Sequence, residues 1–238
     1  MTSTIPASGC RRAVLLPGTG SDEVFIGSVF RRPLADAGID LHAVIAPAGT
    51  ALVTASLAEL DAAAADGPII AGGISLGAHL AAQWALANPR RCAGLLLALP
   101  GWVGQPAEAP AAVAARLGAA NIEREGMAEA IRTAIEGVDG WLAGELRRAW
   151  QRHGPALAAS MRVAANHPAP SVAELRALRV PAGVAGCVDD PVHPARVARR
   201  WAGALPIAEL ASTTLAAIGA DRQSLGRATL AALLRAVP

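Results

Sequence analysis

Six short apolar runs set what this chain can fold into: "AVLLPG" (13–18), "LHAVIAP" (41–47), "PIIAGGIS" (68–75), "AGLLLALPGW" (93–102), "VPAGVAGCVDD" (180–190) and the weaker "IAELAS" (207–212). None alternates strictly between polar and apolar residues, the pattern expected of strands buried on both faces of a parallel sheet. Helix-like spans separate them: "SVFRRPLADAG", "VTASLAELDAAAADG", "SLGAHLAAQWALANP" and "PARVARRWAGALP". Each span ends in glycine or proline, the usual helix punctuation. This order predicts an α/β fold: a mostly parallel open sheet of six strands, flanked by helices and joined by right-handed crossovers. In such sheets ligands gather at the carboxyl ends of the strands.

One interval breaks the rhythm. Residues 103–178 hold helical patterns and no convincing strand: "APAAVAARLGAANIEREG", "MAEAIRTAIEG", "VDGWLAGELRRAWQRHG" and "PALAASMRVAAN". The expected organisation is therefore a core of residues 1–102 and 179–238 with a helical cap insertion over 103–178. Following the fourth strand, the insertion is expected to lie over the carboxyl edge, with Trp102 at its start lining or roofing a pocket. Trp102, Trp141 and Trp150 serve equally well as anchors that pack the insertion onto the core.

Composition narrows the classes further. At 238 residues, 53% apolar and 17% charged, the chain can bury a full core in one medium domain. No apolar stretch reaches the roughly 18 uncharged residues of a membrane span. The start, "MTSTIPASGCRR", lacks the basic-then-apolar order of a secretory signal, and the expected compartment is the cytoplasm. Cys10, Cys92 and Cys187 are too widely spaced for a metal pattern, and they read as reduced thiols. The formal charge of +2 is carried by arginine alone, spread along helical stretches. With few aromatic residues, this argues for solvated faces and against nucleic-acid binding. No metal and no organic cofactor is implied.

The third run leads into Gly73-Ile74-Ser75-Leu76-Gly77 and then an alanine-rich helix. This is G-x-S-x-G in the strand–turn–helix context that gives the pattern meaning. A serine held in so sharp a turn leaves no room for side chains two residues away on either side. The turn presents the hydroxyl at the sheet edge, near the positive end of the helix. The alternative is a serine serving only the turn.

On these residues the chain resembles the α/β-hydrolase fold family over most of its length. Upstream, "VLLPGTGSD" resembles the family's apolar strand followed by His-Gly-x-Gly, with Pro17 at the histidine position and Gly18-Thr19-Gly20 after it. The resemblance implies an oxyanion hole built from the backbone N–H groups of Thr19 and Leu76, with Gly18 and Gly20 shaping the loop. A phosphate loop is disfavoured, because G-x-x-x-x-G-K-[ST] is absent and "GTGSDE" places acids where phosphate would lie. Downstream, "VAGCVDDPVHP" looks like the family's acid loop. Asp190 fits its D-P-x-x-P spacing, and Asp189 fits its glycine-plus-three spacing from Gly186; Asp190 is favoured and Asp189 is a close second. Both could instead cap the following helix.

A serine hydroxyl needs a base in hydrogen-bond reach, and the base an acid to orient it. The family places its histidine after the last strand, yet "LASTTLAAIGADRQSLGRA" has Gly219-Ala220-Asp221 where Gly-His is expected. His193, three residues after Asp190, is the best placed substitute. His153 and His167 belong to the insertion, His79 reads as a core residue on the helix after Ser75, and His42 opens the second strand at the far end. The resulting expectation is a serine hydrolase acting through Ser75 on an ester or thioester, with a small apolar acyl or ester substrate. The alternative is a degenerate protein of the same fold that binds a small apolar ligand or a partner.

Overall fold

The computed structural model describes residues 10–237; most of the segment read for a leader lies outside them. Its sheet contains β1 (Arg12–Leu16), β2 (Asp40–Ala43), β3 (Ile69–Ile74), β4 (Cys92–Ala98), β5 (Ala182–Cys187) and β6 (Ala208–Thr213). The order is β2-β1-β3-β4-β5-β6, and each neighbouring pair is parallel. Each of the six apolar runs supplies one strand. Helices α1 (Glu23–Asp36), α2 (Leu52–Ala63) and α3 (Leu76–Ala87) join the first four strands, and α9 (Ala195–Ala204) joins β5 to β6.

The continuous apolar character of the strands has a direct cause in the packing. Val14 and Leu16 point into one core with Ala71, Leu95 and Leu97, under Leu80, Trp84 and Trp201. Their neighbours Ala13 and Leu15 point into the other, with Ile70 and Leu96, under Ile26, Phe30 and Leu233. Successive strand residues face opposite ways, and here both sides are covered, so neither register can be polar.

Between β4 and β5 lie α4 (Pro110–Glu125), α5 (Met127–Ala134), α6 (Gly140–His153), α7 (Leu157–Asn166) and α8 (Val172–Ala177). The first four match the helical patterns read from residues 103–178. They share a third apolar cluster of Ala119, Ile122, Ile131, Trp150, Leu157 and Met161. Helix α8 is additional, and its signature is visible in the sequence. Ser171 accepts from the Glu174 N–H while the Glu174 carboxylate accepts from the Ser171 N–H, a capping box in "SVAE".

After β6 the chain forms α10 (Leu215–Ala220) and α11 (Gln223–Ala236). The Gly219-Ala220-Asp221 stretch, which stands where the family pattern has Gly-His, is the end of a helix that Thr214 caps, accepting from the Ala217 N–H. Among the described residues no helix is long and apolar enough to cross a membrane.

Candidate functional site

Ser75 is the hinge between β3 and α3, and its backbone is held at φ 56, ψ −115. A positive φ at a residue other than glycine costs about 1–3 kcal/mol and persists only where the surroundings enforce it. Here the surroundings are the flanking glycines and β1. A Cβ at Gly73 would lie 2.3 Å from the Leu16 carbonyl oxygen, and one at Gly77 2.2 Å from the same atom. Both ends of the turn are pressed onto the end of β1, which explains the two glycines in backbone terms. The Ser75 N–H donates to the Ala98 carbonyl at 3.0 Å, tying the turn to β4 as well.

The loop after β1 lies beside this turn. A Cβ on Gly18 would stand 3.4 Å from Ser75 Cβ. The Ser21 N–H donates to the Gly18 carbonyl at 3.0 Å, so Thr19 and Gly20 form the middle of a tight turn next to the serine. On the other side Leu76 opens α3, and first-turn N–H groups have no intrahelical acceptor.

The loop after β5 also reaches Ser75. It leaves at Cys187 and returns at Pro194, which form an isolated parallel bridge. Within it Asp190 Oδ1 accepts from the backbone N–H groups of Val192 at 2.8 Å and His193 at 3.1 Å. Asp190 Oδ2 lies 3.0 Å from His193 Nδ1, and His193 Nε2 lies 3.0 Å from Ser75 Oγ. The two contacts fix the tautomer. Nδ1–H donates to the carboxylate, which leaves Nε2 to accept from the serine O–H. Burial by itself would raise the Asp190 carboxyl. The hydrogen bond and charge of His193, with the two N–H groups, outweigh that and hold it below the usual carboxylate range. It is ionised at neutral pH.

Asp189, the close second as acid, faces elsewhere. Its Oδ1 accepts from the Leu215 N–H at 2.7 Å and from the Cys187 thiol at 3.1 Å. It therefore ties β5 to the start of α10 and makes no contact with His193. The other histidines are equally placed by their contacts. His42 is exposed and 3.8 Å from Glu59, and His167 Nε2 meets Gln83 Oε1 at 2.8 Å. His153 Nε2 meets the Ser21 carbonyl at 2.8 Å. His79 is fully buried and accepts the Gly101 N–H at 2.9 Å. Burial, then the charges of His193 and His167, push it down to about 3.

Of the two roles open to Trp102, lining a pocket or anchoring the insertion, its packing into the main core fits the anchor. It is 6% exposed, edge-on to His79 with ring centres 4.7 Å apart. Its carbonyl accepts from Trp201 Nε1 at 2.8 Å. Its place is set by the loop after β4, which His79 organises. A cavity of about 400 Å³ lies against the 188–194 loop, bounded by Pro110, Val188, Asp190, Pro194, Arg196 and Arg199. The three cysteines are free and buried, and burial pushes Cys92 and Cys187 up to about 12, so neither is a thiolate nucleophile.

Sequence reasoning passed over Asp22. Its side chain is 1% exposed, caps α1 by accepting from the Val24 and Phe25 N–H groups at 3.1 Å each, and pairs with Arg148 of α6. The signal was present as an acid just ahead of a helix, "SDEVF", but its partner lies 126 residues away.

No protein-family profile matches the chain, and no curated protein matches it in sequence. Solved structures do match. MenH from S. aureus is 14% identical, with a TM-score of 0.74 over 94% of this chain and 93% of its own. A putative non-heme bromoperoxidase, BpoC, from Mycobacterium tuberculosis H37Rv is 16% identical, with a TM-score of 0.72 over 96% and 93%. A hydrolase from Pseudomonas aeruginosa PA01 is 21% identical, with a TM-score of 0.71 over 95% and 91%. At these identities the likeness is one of fold.

Proposed function

We propose that this chain, which has the α/β-hydrolase fold, is a serine hydrolase that cleaves an acyl ester or thioester through Ser75, His193 and Asp190. The observation that carries the proposal is the continuous chain of contacts from Ser75 Oγ to His193 Nε2 and from His193 Nδ1 to Asp190 Oδ2, each 3.0 Å. These are hydrogen-bond distances suited to general-base activation of a hydroxyl.

In this mechanism Ser75 Oγ attacks the acyl carbonyl as its proton passes to His193 Nε2. The imidazolium that forms is stabilised by the ionised Asp190, which also keeps the ring in the right tautomer. The N–H groups of Leu76 and Thr19 receive the developing oxyanion, a contribution of about 3–4 kcal/mol per donor in comparable sites. Collapse of the tetrahedral species expels the alcohol or thiol, which takes the proton from His193. Water, deprotonated by the same nitrogen, then attacks the acyl-enzyme and releases the acid and Ser75. Each half-reaction uses one base and one oxyanion hole, so no further group is required.

The helices between β4 and β5 form the cap of this proposal, because α6 stands against the loop beside Ser75. Within this proposal the acyl group is small and apolar, the class suited to so alanine-rich an insertion. Steady-state hydrolysis of p-nitrophenyl acetate, p-nitrophenyl butyrate and a butyryl thioester tests the reading. Turnover by the wild type that vanishes in Ser75→Ala is expected. Equal turnover by the two proteins would overturn it.

A further inference from the structure

Helix α6 reaches the loop beside Ser75 with four side chains in succession. Arg148 pairs with the buried Asp22 carboxylate, and Arg152 pairs with Glu23 and stands 3.9 Å from Asp22. His153 Nε2–H donates to the Ser21 carbonyl at 2.8 Å. The indole of Trp150 lies on Gly20, where a Cβ would come within 3.1 Å of Nε1. Residues 20 to 23 are thus each gripped by one helix that belongs to the insertion between β4 and β5. The other end of α6 is fixed too. Arg222 covers Trp141 at 4.3 Å and lies 4.0 Å from Glu145, which itself holds Arg148.

We propose that Arg148, with Arg152 and His153, is a positioning set for the oxyanion hole: it acts through Asp22 and Ser21 to hold the Gly18–Ser21 turn so that the Thr19 N–H faces Ser75. The inference rests on the function proposed above. Two features make the contact more than surface decoration. Asp22 is 1% exposed, and breaking one partner from a buried pair leaves an uncompensated charge. Burial by itself would raise its carboxyl, yet the bonds from Arg148 and the Phe25 N–H and the charges of Arg148 and Arg152 hold it below the usual range. The turn it anchors has only one internal hydrogen bond, Ser21 N–H to Gly18 carbonyl. An oxyanion hole works because its donors are already in place when charge develops, and a turn held by so little of its own needs an outside support.

The test uses the full-length protein with a fluorophosphonate probe and p-nitrophenyl butyrate, comparing Arg148→Met, Arg148→Lys and Asp22→Asn. Asp22→Asn keeps an oxygen for the α1 cap while removing the ion pair, so it stands in should Arg148→Met fail to fold. Positioning predicts a fall of roughly 10–100-fold in kcat and in phosphonylation rate, short of the roughly 10²–10³-fold cost of deleting a donor outright. KM should change by less than about twofold, and Arg148→Lys should recover most of the rate. Arg162→Ala, which cuts an exposed pair with Glu123, should change nothing. Amide exchange of residues 19–22 should quicken in Arg148→Met whether or not the serine reacts. Faster exchange with unaltered kcat and phosphonylation would overturn the inference, as would wild-type rates in a folded Asp22→Asn. An unreactive wild-type Ser75 would instead remove the parent reading and this inference with it.

Discussion

The loops that follow β5 and β6 start side by side at the carboxyl edge of the sheet and end with opposite roles. The β5 loop is six residues closed on itself by the Cys187–Pro194 bridge, and it carries both Asp190 and His193. The β6 loop is used up at once: Thr214 caps α10, and the Leu215 N–H is taken by Asp189. A family pattern assigns acid and base to separate strands. In this chain one short loop holds His193 Nε2 at 3.0 Å from Ser75 Oγ and Asp190 Oδ2 at 3.0 Å from His193 Nδ1. In the proposed mechanism an imidazole nitrogen must reach the serine, and here the end of β5 is close enough to supply it. Adjacent aspartates divide the work, with Asp190 turned to His193 and Asp189 turned to the neighbouring strand.

The largest effect that could break this contrast is loss of the imidazole. His193→Ala should lower kcat for p-nitrophenyl butyrate by about 10⁶-fold, leaving only the residual acceleration of the oxyanion hole and binding. Asp190→Asn should cost about 10²–10⁴-fold, since an amide can favour the wrong tautomer. A larger loss in Asp189→Asn than in Asp190→Asn would invert the assignment of the two adjacent aspartates.

The loop after β4 offers a measure of stability that neither of the others shares. His79 organises it while staying neutral, with burial and then the charges of His193 and His167 pushing it down to about 3 from an ordinary 6.5. The unfolded chain therefore takes up a proton below 6.5 that the native state refuses until about 3. The contribution of His79 is complete above 6.5 and is lost as pH falls through that window, with a slope approaching about 1.4 kcal/mol per pH unit. Urea unfolding at pH 7.5 and pH 5 should show this loss in the wild type and a smaller one in His79→Gln. Smallest of all, Asp189→Ala should loosen the start of α10, lower the melting temperature slightly and leave turnover within about twofold, because its partners are a backbone N–H and a thiol.

The sheet was legible in the sequence because burial on both faces forces uninterrupted apolar strands, as Val14-Leu15-Leu16 and Ile69-Ile70-Ala71 show. The turn at Ser75 was legible for a related reason: Gly73 and Gly77 answer a steric demand made by one atom, the Leu16 carbonyl oxygen. Local spacing also placed Asp190 and His193 together, three residues apart on one loop. Where sequence reading fell short, the cause was a contact between distant segments. Leu215 and Asp189 meet across 26 positions, which turns the second candidate acid away from His193. The sequence left Trp102 between two roles, and its contacts with His79 and Trp201, 23 and 99 positions away, are what draw it inward. The grip of α6 on residues 20–23 joins segments more than a hundred residues apart.

The central claim is that His193 activates Ser75 from the β5 loop. Its most direct measurement is the rate of phosphonylation by a fluorophosphonate probe, with the adduct mapped by peptide mass spectrometry. The account predicts a single adduct on Ser75 in the wild type, and the same adduct forming at least about 10³-fold more slowly in a folded His193→Ala protein. An adduct on another residue, or equal rates in the two proteins, would contradict it.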